Sequence, residues 1–206
     1  MYTPPMYRVT DPAILHPFIR ENGFAVLVSN VDGKPVATHL PLVLDQTRGK
    51  NGALLGHVAK ANSHWRGAPC DALAVFHGPH AYVSPTWYGE PGFVPTWDYC
   101  AVHVSGTMRL IEEKAGADAV IEALIAQYES AMPAPWRIDP AGRFDALMNS
   151  IVAFEIEISN MEGSWKLSQN HSRERQARVA AQLKNGDEAA RKIAALIEAN
   201  LRATVK

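Results

Sequence analysis

The prediction of the fold depends most on the segment Ile151-Val152-Ala153-Phe154-Glu155-Ile156-Glu157-Ile158. Its second half alternates apolar side chains with Glu155 and Glu157, the period of two that is typical of a strand with one face in water. This strand comes late, after a long helical segment, whereas the other predicted strands lie in the first half of the chain. A sheet whose first strands lie early in the chain and whose last strand follows a helix, with few helices between the strands, favours a barrel over a doubly wound sheet.

On both sides of this segment, β-rich runs predict further strands and helical periodicity predicts the helices. The predicted strands are 24–29, 36–44, 53–59, 72–77 with a continuation to 83, and 96–111, and Asp32-Gly33 is a hairpin signal between the first two. The predicted helices are 11–22, 112–130, 139–150 and two in the tail 172–206, separated at 184–187. The prediction is a mainly β chain with helices added.

Length and composition limit the class of protein. The chain has 206 residues, of which 47% are hydrophobic, enough for one core. We therefore expect a single domain over 1–206, with a C-terminal helical appendage at 171–206. The formal charge of −1 gives no overall basic field for nucleic acid or an anionic membrane. Two cysteines, no basic start and no long apolar run predict a cytoplasmic location without membrane contact.

The segment after the predicted strand 53–59 is a candidate phosphate site. Asn62 or Ser63 can cap a short helix there, and Lys60 and Arg66 flank its start. Unpaired N–H groups at a helix start bind phosphate well beside a cation. An ordinary capped turn with surface charges explains the same residues.

Histidines are concentrated between positions 57 and 103. This spacing is typical of a metal site or of hydrogen-bonding groups around a polar ligand. His77 and His80 bracket Gly-Pro, where we expect the chain to turn, and no carboxylates complete a zinc site. We therefore predict no metal site, and we include His57 among the candidate ligand-binding residues.

Three stretches that we interpret as loops are rich in aromatic residues: 81–88, 94–99 and 163–170. Aromatic loops pack against a partner subunit or a flat ligand, and core closure is an equal alternative. The third stretch adds Lys166 and Gln169, which could bind phosphate or ribityl-type hydroxyls. Sequence motifs for a catalytic nucleophile or a nucleotide loop are missing, so any chemistry should come from a bound cofactor.

Several separated motifs occur together in order. They are MYTPPMY, GHVAKANSHW, GPHAYVSPTWY, VPTWDYCAVHVSG, and FEIEI followed by EGSWKLSQN. Over residues 1 to about 183 the chain resembles the PaiB family of FMN-binding proteins, also described as negative transcriptional regulators. The resemblance implies a mainly β split β-barrel of the pyridoxamine-phosphate-oxidase type, a homodimer, and two FMN sites at the subunit boundary.

The resemblance also implies which residues bind FMN. The phosphate would be held by Lys60, Asn62 and Trp65, the segment already chosen from its helix start. The flavin ring edge would be lined by Thr38, His39 and Leu40. The second subunit would contribute Thr96, Trp97 and the 165–170 loop, with Lys166 and Gln169 assisting at the phosphate.

Three positions depart from the family pattern. Asp98 stands where Asn is expected, Ser63 where Pro is usual, and His171 where Arg is usual. A carboxylate beside an anionic cofactor weakens binding, and so does a missing cation. These departures predict reduced FMN affinity.

The resemblance and the C-terminal tail together give several functional hypotheses. The first is a transcriptional regulator or flavin-dependent sensor; the alternatives are an FMN-dependent oxidoreductase acting on a small metabolite, and a haem-binding split-barrel protein. Eight Lys+Arg and four Asp+Glu between positions 172 and 206 give a local charge of +4, which leaves DNA contact open. The tail's apolar residues could instead dock on the barrel or pair between subunits.

Overall fold

The computed structural model describes residues 1–138 and 145–203. Within it the chain forms two compact units. Unit 1 consists of Met1–Leu15, His77–Val102 and Glu162–Lys206, and unit 2 of His16–Phe76 and His103–Met161. A single domain over 1–206 with an appendage at 171–206 stays a prediction.

Eight strands and five α-helices make up the described chain. The strands are β1 (Arg8–Val9), β2 (Phe24–Val31), β3 (Lys34–Pro41), β4 (Val43–Asp45), β5 (Ala53–Ala59), β6 (Cys70–Val83), β7 (Thr96–Leu110) and β8 (Ile151–Lys166). The α-helices are α1 (Pro12–Glu21), α2 (Lys114–Glu129), α3 (Asp145–Met148), α4 (Arg173–Leu183) and α5 (Glu188–Ala203), and short 3-10 helices lie at Pro5–Tyr7, Ser63–Gly67 and Pro85–Tyr88. No helix of this described part is long and apolar enough to cross a membrane.

The strands form one sheet in the order β3-β2-β6-β7-β8-β5-β4, and β1 pairs with β8. β2 and β3 form the predicted hairpin, with Asp32 at φ 51° and Gly33 at φ 77°. Two successive residues with positive φ give the turn whose twist matches a hairpin. The late strand β8 pairs antiparallel with β5, opposing Leu54 to Ile156. The strand on which the prediction relied thus lies inside the sheet, between β7 and β5.

In unit 2 the helix α2 covers the sheet next to β5 and β8. Val120 and Leu124 of α2 pack with Leu55 and Ala153 in one buried cluster. Burying such side chains contributes about 1.5–3 kcal/mol each. This packing fixes the end of β5, from which the predicted phosphate segment starts.

In unit 1 the helices α4 and α5 pack against each other. Ser172 caps α4 through the N–H of Arg175, and Asp187 accepts a hydrogen bond from the N–H of Ala190 at 2.8 Å. Of the apolar tail residues, four are buried and Leu196 and Leu201 are half-buried; the buried ones are Val179, Leu183, Ile193 and Ile197. The tail's apolar residues are therefore largely covered within the monomer.

Three local predictions were wrong. The predicted strand 36–44 is divided at Leu42 into β3 and β4; the Leu42 N–H donates to the carbonyl of Gly23, just before β2, and its side chain stays buried. The Gly-Pro between His77 and His80 does not turn the chain but continues β6, because sheet pairing overrides a local turn signal. The loop predicted over 163–170 begins only after Lys166, where β8 ends. Of the helix predicted over 139–150, residues 139–144 lie outside the described chain.

Candidate functional site

A hydrogen-bonded group, which we call the His64 cluster, follows β5 in unit 2 and consists of Ser29, Thr38, Asn62 and His64. The ring of His64 contacts the Ser29 hydroxyl through Nε2 at 2.7 Å and the Thr38 hydroxyl through Nδ1 at 2.8 Å. Asn62 donates to the same Thr38 hydroxyl at 3.2 Å and accepts from the N–H of His64 at 2.9 Å. Asn62 thus caps the Ser63–Gly67 helix, as expected.

Burial determines the charge of His64. Only 1% of the residue is exposed, and burial lowers the pKa of its imidazole. A neutral imidazole has one N–H donor and one acceptor nitrogen, so it matches two hydroxyls, each of which can donate or accept. His64 therefore orients Thr38 rather than offering a cation to a ligand.

The three residues predicted to bind the phosphate differ in whether their polar groups are already hydrogen-bonded within the protein. The Asn62 side chain is occupied by Thr38 and His64, and the Trp65 indole N–H donates to the Lys60 carbonyl at 3.0 Å. The Lys60 side chain is exposed and has no ion-pair partner among the described residues. Arg66 lies over the Trp65 ring at 5.8 Å. Lys60 is accordingly the group best able to bind an anion directly, while Asn62 shapes the turn.

The predicted ring-edge residues lie on β3, at the edge of the sheet. Thr38 is half-buried in the His64 cluster, His39 is exposed beside Phe24 at 6.4 Å between ring centroids, and the Leu40 side chain is buried. Leu40 can therefore offer a ligand only its main chain. His57, on β5, is half-buried; burial lowers its pKa, and its Nδ1 has no hydrogen-bond partner in the described structure.

A second hydrogen-bonded group, which we call the Asp98 cluster, lies in unit 1 and consists of Thr96, Asp98, Lys166 and Ser168. Asp98 accepts from the Ser168 hydroxyl at 2.6 Å, and its other oxygen lies 3.8 Å from the Lys166 amine. That amine donates to the Thr96 hydroxyl and to the Trp97 carbonyl. Ser168 adopts a φ of 61°, an uncommon value for a serine. The cluster joins the start of β7 to the end of β8.

The orientation of Asp98 alters the expected effect on FMN. The residue is 0% exposed, so its carboxylate faces the interior rather than an anionic ligand. Burial raises the pKa of Asp98, and the Ser168 hydroxyl and the Lys166 ammonium oppose this rise. Much of the repulsion expected from Asp98 is therefore removed by its position.

The turn after β8 is held by Gln169. Its amide oxygen accepts from the N–H of Leu167 at 2.6 Å, and its amide nitrogen donates to the Trp165 carbonyl at 2.6 Å. Both ends of this side chain are bound to main chain of the same turn. Gln169 fixes the shape of the turn that follows Lys166.

The aromatic residues of unit 1 fall into two groups. Trp97 is 53% exposed and contacts Tyr82, which is 44% exposed, at 5.9 Å between ring centroids. Tyr88 is buried and packs against Phe93 and His171. Core closure therefore explains Tyr88, whereas Trp97 and Tyr82 form an exposed aromatic surface.

His171, which stands where a cation was expected, is half-buried and packs against the buried Tyr88. Burial lowers its pKa, and nearby Arg175 and Lys166 lower it further. Arg175 itself lies over the Phe93 ring at 4.7 Å and pairs with Glu90 at 2.7 Å. The ring at 171 therefore acts as a packing group.

Sequence reasoning missed two residues that hold the clusters together. His64 stood among the clustered histidines, but its two hydroxyl partners are 35 and 26 positions away in the chain. Ser168 lies inside the motif EGSWKLSQN, and nothing in the sequence predicts its positive φ or its hydrogen bond to Asp98. No group of three or more His, Cys, Asp or Glu able to hold a metal occurs in the described residues.

The donors present fit a flavin mononucleotide. In unit 2, the exposed ammonium of Lys60 suits a phosphate, and the hydroxyl of Thr38 and the imidazole of His39 suit polar ring atoms. In unit 1, taken by itself, the exposed Trp97 indole suits a flat ring. FMN needs this combination of charge, hydrogen bonds and aromatic surface.

The comparisons with known proteins agree with this chemistry. A family model described as "Putative FMN-binding domain" matches residues 1–160. The "Protease synthase and sporulation protein PAI 2" of Bacillus subtilis is 33% identical over 207 residues, covering 98% of this chain and 99% of that protein.

Two solved structures show the fold. The flavocytochrome Anf3 from Azotobacter vinelandii aligns with a TM-score of 0.60 at 11% identity, covering 78% of this chain and 69% of that one. The FAD and heme binding protein from Mycobacterium smegmatis aligns with a TM-score of 0.57 at 15% identity, covering 78% and 73%. The expected split β-barrel with C-terminal helices is confirmed. The chain belongs to the FMN-binding domain family, as its resemblance to PaiB indicated, and FMN is its cofactor.

Proposed function

We propose that this protein is a homodimeric flavin sensor with a regulatory role, in which Lys60 binds the FMN phosphate. The observation that carries the proposal is the exposed Lys60 amine, without an ion-pair partner in the described chain, directly after β5. Asn62 and Trp65 hold the adjoining turn by their hydrogen bonds. A fixed turn beside a free ammonium costs little ordering when an anion binds.

The remaining residues take roles that follow from their contacts. Thr38, oriented by His64, and His39 would face polar atoms of the ring, with the Leu40 main chain and His57 beside them. Bound FMN supplies electron and hydride transfer. The partner subunit would contribute Lys166, Thr96, Trp97 and Gln169, as the resemblance implies.

The exposed aromatic surface of unit 1 supports a dimer. Trp97, Tyr82 and Val94 are large apolar residues in water, with Val94 74% exposed. Apolar surface of this kind is stabilised when a ligand or a second copy covers it. A dimer in which Trp97 reaches the partner's flavin would cover it.

The charges of the tail argue against direct DNA contact. Four of its basic residues already pair with acids, namely Arg175 and Arg178 with Glu90, Lys184 with Glu198, and Lys192 with Glu188. A DNA-binding face needs free cations. We infer that a regulatory role would act through flavin state or a protein partner, and a gel shift at low salt tests this.

The test begins with the absorption spectrum of the purified protein, followed by fluorescence titration with FMN. Lys60→Ala should weaken FMN several-fold, up to about tenfold, because one charge-assisted contact is lost. Lys34→Ala, which removes an exposed lysine of the β2–β3 hairpin, is the matched control and should leave affinity unchanged. Equal FMN affinity in both variants would show that the phosphate binds elsewhere. A Soret band without flavin absorbance would favour haem as the ligand.

A further inference from the structure

A cavity of about 550 Å³ lies within unit 1, among the N-terminal segment, the end of β8 and the helices α4 and α5. Its volume falls in the range of sites for small molecules. Part of the lining is apolar, from Trp165, Leu167, Leu196 and Leu201. Most of the lining residues follow residue 160, where the match to the family model ends.

Two guanidinium groups give this cavity its charge. Arg8 and Arg173 both line it, and no acidic residue among residues 1–138 and 145–203 does. Arg8 donates to the Thr3 carbonyl at 3.1 Å, and Arg173 donates to the Leu201 carbonyl at 2.6 Å. Neither has a carboxylate partner in the described part of the chain. Since a guanidinium has five N–H donors, both arginines are anchored yet keep donors for a ligand.

We propose that this cavity binds a small organic acid. The carboxylate would be held by Arg8 and Arg173, and the apolar body would contact Leu167 and Leu196. Arginine forks match carboxylates in shape as well as charge. Gln176, which is buried and donates to the His171 carbonyl at 2.8 Å, keeps its amide at the cavity lining.

Lys60, the proposed FMN phosphate ligand, does not line this cavity; of the other residues assigned to FMN, Gln169 does, with both ends of its side chain bound to main chain. Trp165 and Leu167 line the cavity, whereas Lys166 between them contacts Thr96 and Trp97. Successive residues of a strand point to opposite faces, so Trp165 and Lys166 place the acid and the proposed FMN contact on opposite sides at the end of β8.

The test is calorimetric titration of the full chain with benzoate and octanoate, and with benzamide as an uncharged analogue. We expect saturable binding of both acids and none of benzamide. Arg173→Gln and Arg8→Gln should each weaken binding about tenfold or more, because each removes a charge-assisted contact. Arg20→Gln, an exposed arginine of α1 in unit 2, is the matched control and should bind as the parent does.

A second variant keeps both arginines. Ala199→Trp places a large ring at the lining and should abolish acid binding, with circular dichroism checking the fold. FMN titration of the same samples gives a second readout, which reports on the proposed phosphate contact at Lys60, a residue that does not line this cavity. No saturable acid binding, equal binding of benzamide, or equal binding in Arg8→Gln, Arg173→Gln and the parent would each overturn the proposal.

Discussion

The His64 cluster in unit 2 and the Asp98 cluster in unit 1 each bury one titratable side chain against hydroxyl groups, but they bury groups of opposite kind. His64 is a base between Ser29 and Thr38. Asp98 is an acid beside Ser168 and Lys166. In both cases burial favours the neutral form, so the pKa of His64 falls and the pKa of Asp98 rises.

Because the two buried groups are of opposite kind, the two clusters respond differently to pH. Below the unfolded His pKa of 6.5, the unfolded chain takes up a proton that buried His64 resists, so its contribution to stability is lost as pH falls. Asp98 keeps its proton in the folded chain above the unfolded Asp pKa of 3.8, so its contribution is lost as pH rises. The two clusters therefore act on stability in opposite directions.

The clusters also differ in what they leave for a ligand. In the His64 cluster the side chains of Asn62 and His64 are bound within the cluster, the Thr38 hydroxyl can make one further hydrogen bond, and the neighbouring Lys60 has no ion-pair partner among the described residues. In the Asp98 cluster the Lys166 amine already donates to the Thr96 hydroxyl and to the Trp97 carbonyl. We therefore expect Lys60 to contribute more to phosphate affinity than Lys166, which must exchange protein partners for the ligand.

The largest stability effect is expected at His64. His64→Phe keeps a ring of similar size but removes both hydroxyl contacts, leaving the buried Ser29 hydroxyl unpaired. We expect the free energy of unfolding to fall by about 2–4 kcal/mol at pH 7.5 in urea titration. This difference should shrink as pH falls from about 7.5 to 5.5, because the parent protein loses the stability that depends on a neutral His64, whereas the variant has no imidazole to protonate.

The matched control for this change is His77→Phe, which replaces an exposed histidine of β6. It should change the free energy of unfolding by no more than about 0.5 kcal/mol. A loss in His64→Phe that is as small as in His77→Phe would show that the Ser29 and Thr38 contacts contribute little.

A smaller loss is expected at Ser168. Ser168→Ala removes the hydroxyl bond to Asp98 and should lower the free energy of unfolding by about 1–2 kcal/mol in urea titration at pH 7. Ser63→Ala, at an exposed serine of unit 2, is the control and should have almost no effect. Equal effects would mean that the turn after β8 is held by Gln169 alone.

A short apolar run was enough to predict β5, whose residues are buried on both faces, and helical periodicity was enough to predict both tail helices, whose apolar residues are buried on one side. It was also enough to place a cap at Asn62, whose side-chain preference is local. The extension of β8 to Lys166 could not be predicted, since pairing with β1 at Ser164 depends on residues more than 150 positions away. The inward orientation of Asp98 depends likewise on Ser168, 70 positions away.

The smallest effect is expected at Asp98, and its sign is a gain. Asp98→Asn can still accept from Ser168 but carries no charge, so the burial cost of the carboxylate disappears. We expect the free energy of unfolding at pH 7 to rise by on the order of 1 kcal/mol. The gain should fade as pH falls towards 4, because the carboxyl of Asp98 is then neutral in the folded parent protein, as the amide of the variant is. Asp71→Asn, an exposed aspartate of β6, serves as control, and a loss of stability in Asp98→Asn at pH 7 would show that the ion pair with Lys166 outweighs burial.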